Sequence, residues 1–193
     1  MKRTKRTEKN NRIWYRGQAF SDHGCDPEFQ EIAQGFLCGD VTEHGALSDP
    51  QKALIRLTAL TATQTWKPLA RYTLSALDAG AAPEQIKETL YQCAPYIGLE
   101  KVQCALDEVN QAVQSAGNPC PPANQSTVSE ETRFEKGHAV QQKIFGADTI
   151  NAMRANAPAE LKHIQDYLSA CCFGDFYTRG TLDLKMRELI TFC

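Results

Sequence analysis

Apolar positions along this chain recur with a helical period almost throughout. "SDPQ" at Ser48 has the form of a capping box with Pro50 in the first turn, and Leu54, Ile55, Leu57, Leu60 and Ala62 follow, which predicts a helix over 50–64. Pro68 opens a second helix, whose Leu69, Leu74 and Leu77 lead to Gly80 as a stop. A third starts at Pro83 and is expected to break near Pro95. The fourth covers 99–113, with Leu99, Val102, Leu106, Val109 and Val113 on one face. Residues 115–130 hold three prolines among small polar residues and read as a linker. Beyond it the pattern predicts helices ending at Gly146, over 148–155, and from Pro158 to 172. A last helix starts at Asp183 and carries Met186, Leu189, Ile190 and Cys193 as one stripe, with no capping residue behind it. No alternating strand pattern or Asn-Gly hairpin signal interrupts this. The fold class is all-α.

The chain repeats itself. Residues 29–58 align without gaps to residues 164–193 at a constant offset of 135, with 7 of 30 positions identical. The identities are Gln30/Gln165, Gly39/Gly174, Asp40/Asp175, Gly45/Gly180, Leu47/Leu182, Leu54/Leu189 and Ile55/Ile190. Chance would supply roughly two. In each copy a helix ends at Gly-Asp, a loop crosses to Gly-x-Leu, and a new helix starts, at Ser48 or at Asp183. The first copy continues through three more helical segments. The expected organisation is a helical domain over 26–114, the linker, and the start of a second such domain over 131–193.

Composition adds bounds. The 42% hydrophobic and 23% charged residues of this 193-residue chain are ordinary for a globular protein. No apolar run approaches the roughly 18 residues that span a bilayer, and no secretory signal is visible. Eight cysteines are scattered without a C-x-x-C, which points to a reducing, cytoplasmic setting with free, mostly buried thiols. The adjacent pair Cys171-Cys172 is read the same way, because a vicinal disulfide is strained. Residues 1–12 carry a net charge of +5 against −2 for the whole. No basic face follows them, so residues 1–25 are expected to be a solvated, flexible start that binds neither nucleic acid nor membrane.

The segment from Lys52 to Val109 resembles the carboxymuconolactone decarboxylase family. The resemblance rests on a Lys/Arg-rich helix start, the Ala-Gly-Ala helix end at 79–81, "PEQIKETL" and "YIGLEKVQCAL". "LDLKMREL" at 182–189 is similar to the opening of a second domain of the same family. The resemblance covers about 30–113 and 134–193. It implies an all-helical fold assembling into trimers or hexamers, a small-molecule substrate, and no cofactor or metal. It also implies one of two chemistries. One is decarboxylation of a lactone carboxylic acid, in which a positioned His or carboxyl group returns a proton to a dienolate. The other is thiol-dependent peroxide reduction by a peroxiredoxin-type oxidoreductase. In the peroxidase-like branch a Glu is followed twelve, fifteen and nineteen residues later by Cys, Cys and His, so that two thiols lie one helical turn apart beside a proton relay.

Carried onto this sequence, those positions fall on Ala53, Thr65, Pro68 and Tyr72 in the first copy, which therefore lacks the relay. In the second copy the Glu position is Glu188, the one catalytic candidate. Its partner positions fall past residue 193, so the polypeptide as given is expected to be inactive. The alternative for the whole chain is a non-catalytic helical oligomerisation module. By residue type alone, Glu188 is also a favourable first-turn acid and Tyr72 a packed aromatic. His138 and His163 lack carboxylates at ligand spacing. Asp22, His23, Cys25 and Asp26, in "SDHGCDPE", read as a turn or helix cap.

Overall fold

The computed structural model describes residues 2–17 and 26–193, and their regular structure is helical throughout. Asp22, His23 and Cys25 lie outside the described residues. Helix α1 covers Arg3–Tyr15. Helix α2, Pro27–Gln34, passes without a break into a π-helical turn over Gly35–Asp40 and a 3-10 turn over Val41–Glu43. Then come α3 (Asp49–Ala62), α4 (Leu69–Asp78), α5 (Pro83–Ile97) and α6 (Leu99–Ser115). After the linker follow α7 (Arg133–Phe145), α8 (Ala147–Asn156) and α9 (Lys162–Tyr167). Helix α9 runs on as a π-helical stretch over Leu168–Tyr177, and α10 spans Leu184–Phe192. None of the described helices is long and apolar enough to cross a membrane.

The capping signals work as their chemistry dictates. The Ser48 hydroxyl accepts the Gln51 amide N–H while the Gln51 side chain takes that of Ser48. At the matching position of the second copy, Asp183 Oδ1 accepts the Met186 N–H at 2.8 Å. Pro95 does not break α5. It sits in the last turn, where the missing N–H costs the helix one hydrogen bond, and the helix closes three residues later at Gly98 with φ of 103°. The helix expected to end at 172 instead winds on to Tyr177, because the wider π-helical turns accommodate Gly174 against α7. A Cβ on Gly174 would overlap the Arg133 carbonyl, and one on Gly137 would overlap the Ser169 carbonyl.

One core joins both copies. Leu54 and Leu57 of α3, Leu69 of α4, Ile86 and Leu90 of α5, and Val102 and Val109 of α6 are buried together. Leu182, Met186 and Ile190 enter the same cluster, since α10 lies against α5 and α3. The apolar stripe of the last helix therefore finds most of its cover within the chain. Phe192, at 88% exposure, and Cys193 stay outside it. A smaller cluster under α7 holds Cys172, Phe173 and Tyr177.

The basic start is not a solvated tail over 3–15. Trp14 and Tyr15 are buried, and Asn10 donates to the Cys38 carbonyl at 2.7 Å. Three of its charges are matched: Arg3 and Arg6 pair with Asp40, and Arg16 with Asp78. The second copy has the same arrangement, with α7 laid on the second π-helical stretch and Arg133 paired through Nε and Nη2 with Asp175.

Candidate functional site

In the first copy the four positions to which the resemblance assigns the relay hold Ala53, Thr65, Pro68 and Tyr72. Ala53 is buried in the core at 3% exposure. Thr65 is exposed, its hydroxyl 3.0 Å from that of Thr63, and Pro68 is the residue before α4. Tyr72 donates its hydroxyl to Tyr15 at 3.1 Å, and the two rings meet edge-to-face at 5.5 Å. Burial and the neighbouring Tyr72 hold the Tyr15 phenol well above its ordinary pKa. The Arg56 guanidinium lies 4.3 Å over the Trp14 ring. Helix α1 thus covers this spot with two aromatics. The four relay positions themselves hold no Glu, Cys or His.

The second copy is built differently, starting with a charged seam. Arg187, fully buried, donates to Gln92 Oε1 at 3.0 Å and Glu88 Oε2 at 3.2 Å. It also donates to the carbonyls of Arg179 and Gly180, which fixes the loop ahead of α10. Arg179 Nε reaches both Glu88 oxygens at 2.9 and 3.0 Å, its guanidinium stacked 4.9 Å from the Tyr91 ring. Glu88 itself is 1% exposed. Burial pulls the Arg187 pKa down and Glu88 pushes it back up. Two guanidinium groups on one buried carboxylate make a clasp that sets α10 on α5, and such a network is costly to break on one side only.

Glu188 lies on α10 next to this clasp. Its Oε1 has neither solvent nor a hydrogen-bond partner. A buried acceptor left unmade costs about 1–3 kcal/mol, so its persistence calls for an explanation. Beside it runs a hydroxyl chain. The Thr191 hydroxyl donates to the Arg187 carbonyl at 3.0 Å and accepts from Gln92 Nε2 at 3.3 Å. With that proton committed, the 2.9 Å contact from Tyr177 to Thr191 has Tyr177 as donor. Tyr177 in turn accepts from Tyr96 at 2.9 Å. Tyr96, 49% exposed, is the solvent end of the chain, while Tyr177 is buried. Burial first, then Tyr96 and last the contact with Glu188, holds the Tyr177 phenol well above its ordinary pKa, against a lowering pull from Thr191.

Cys172 Sγ stands 4.0 Å from the Tyr96 hydroxyl. Its thiol is pushed up to about 11, by burial first and by the charge of Glu188 last. Burial also raises Cys38, Cys171 and Cys193, and lifts Cys93 to about 12. Among the described residues seven cysteines are free, and Cys171, expected to be buried, is exposed. The histidines do not meet: His163 packs edge-on to Tyr167 at 5.7 Å, and His138 lines a separate cleft. Among the described residues no three His, Cys, Asp or Glu side chains gather into a metal-ligand group. Asp26 precedes α2 without capping it through its side chain.

Sequence reasoning singled out Glu188 but missed Glu88, Gln92, Tyr96, Tyr177 and Arg179. All but Tyr177 and Arg179 sit on α5, about 90 residues away in sequence, and no local spacing signals them.

Residues 27–111 match the carboxymuconolactone decarboxylase family. That stretch, α2 to α6, is similar to the family's helical unit. The match stops before the linker and takes in none of α7–α10. No curated protein matches the chain at a significant level.

Proposed function

We propose that the Cys and His positions missing from this sequence, on whose account it is expected to be inactive, are needed only for thiol chemistry. The chain performs carboxymuconolactone decarboxylase-type chemistry by proton transfer at Glu188, as a tandem protein whose first copy is scaffold and whose second copy carries the site. One observation supports this most. The position that Ala53 fills with core in the first copy holds, in the second, a carboxyl group with a shielded, unbonded oxygen beside the Tyr177–Tyr96 chain. In the reaction the bond from lactone carbon to carboxylate breaks and carbon dioxide leaves. The electron pair moves into the conjugated lactone as a dienolate, and the carboxyl group of Glu188 delivers a proton to carbon. Tyr177 gives its proton to Thr191 and Tyr96 gives its own to Tyr177, so this hydroxyl chain shields and positions the site, and solvent returns the proton to Glu188 once product leaves. The substrate is a small anionic lactone, and assembly is as a homo-oligomer, a trimer or hexamer as in the family.

Thiol peroxidase chemistry fits less well, since it needs a thiolate and each shifted thiol here is moved the other way. The test is turnover of an unsaturated lactone carboxylic acid by the full chain in D2O. The account expects deuterium at the protonated carbon and a loss of about 10²-fold or more in E188Q. Peroxide consumption with a dithiol reductant that survives E188Q and is lost in C172S would overturn it. Neither activity, with a homo-oligomer present, would establish the second reading, a non-catalytic assembly module, which the filled relay positions of the first copy favour.

A further inference from the structure

A second polar site lies away from Glu188, in a cleft of about 420 Å³ between α7, α8 and α9. Its wall includes His138, Asn151, Arg154, Lys162, Gln165 and Asp166. The charges are two cations and one carboxylate, leaving an excess of +1. Arg154 uses Nη2 to hold Asp166 Oδ1 at 2.5 Å, and its Nη1 is shut off from water without a partner. The tautomer of His138 follows from its neighbour. The Gln142 amide group gives one hydrogen to Asn151 Oδ1 at 2.9 Å and the other to His138 Nε2 at 3.0 Å. Nε2 is therefore an acceptor, and Nδ1 of the neutral ring carries the proton. That Nδ1 also has no partner. Phe134 holds both groups in place, stacked on the imidazole at 6.0 Å and 4.9 Å from the Arg154 guanidinium.

Two unspent donors, on two residues of one cleft with a surplus positive charge, call for acceptor oxygens and one negative charge. We infer that this cleft binds a small oxyanion, a carboxylate or a phosphate monoanion, between Arg154 and His138 with Lys162 at its rim. Both donor atoms are shielded from solvent, so binding draws the guanidinium and the imidazole toward the ligand. The inference does not rest on the proposed reaction, because Glu188 is no part of this wall.

The test is titration of the full chain with sodium acetate and, separately, inorganic phosphate, followed through the backbone amide NMR signals of α7, α8 and α9. The expected result is saturable binding of one anion in the millimolar range or tighter, and which anion saturates identifies the class. Binding should weaken at least tenfold in R154M and in H138F, while E188Q leaves it unchanged. H138F removes an unmet donor and should melt no lower than the parent, which separates lost binding from lost folding. No saturable shift with either anion, or equal binding in the parent, R154M and H138F, would overturn the inference.

Discussion

Where the first copy buries Ala53 among leucines, the second presents Glu188, and the surroundings differ in the same sense. Ala53 belongs to the apolar core with Trp14 and Tyr15, Tyr72 packs against that core, and Arg56 and Arg71 lie over the aromatic rings. Around Glu188 are hydroxyls, a thiol and a buried ion clasp. The pair at the next position back follows suit. Lys52, half-buried, spends its ammonium on the Thr42 carbonyl, whereas Arg187 is fully buried and bonded to two side chains and two carbonyls. One helix start has been packed for stability. The other keeps polar groups out of water at a cost that packing alone does not explain.

That contrast can be broken or sharpened by paired substitutions. The largest stability difference is expected at the clasp. R187M strands Glu88 beside Arg179 and should cost about 3 kcal/mol or more in urea unfolding, against about 1 kcal/mol or less for K52M. Equal losses would erase the distinction. The paired glycines come next. A Cβ on Gly174 meets the Arg133 backbone, which cannot give, while one on Gly39 meets Thr7 Oγ1 at 2.6 Å and Arg3 Cγ at 3.0 Å, which can. G174A should destabilise by about 3 kcal/mol and G39A by about 1 kcal/mol. The smallest effect concerns pH. Burial raises Cys172 to about 11 and Cys93 to about 12, so the folded state keeps these protons after the unfolded chain has released its own. Their contribution is complete below about pH 8.5 and is lost as pH climbs through 11 and 12. The melting temperature should fall over that window, and C172S should lessen the fall. Alkylation of Cys172 at pH 8 should likewise be at least tenfold slower in the folded than in the urea-unfolded protein.

Much of the fold was legible because its signals are local. Ser48 and Asp183 mark helix starts through their own backbone bonds, and the period of Val102, Leu106, Val109 and Val113 marks α6. Local signals also misled. The charges of residues 2–12 concealed Trp14 and Tyr15 as anchors, and the Asp40 and Asp78 carboxylates that neutralise Arg3, Arg6 and Arg16 lie far along the chain. The register of the repeat located Glu188. It could not show what surrounds it, because Gln92 and Tyr96 belong to the first copy and reach the second only after α10 docks on α5. Helices α1 and α7 each lie on a π-helical stretch and pair with its aspartate, Asp40 or Asp175, although the intervening lengths differ.

The central claim is that Glu188 is kept for chemistry at the expense of stability. Its most direct measurement is urea unfolding and lactone turnover of E188M, side by side with the parent. The account predicts a gain of about 1 kcal/mol, as the unmet buried oxygen is removed, together with a loss of turnover of about 10²-fold or more. A less stable E188M with turnover unchanged would contradict it.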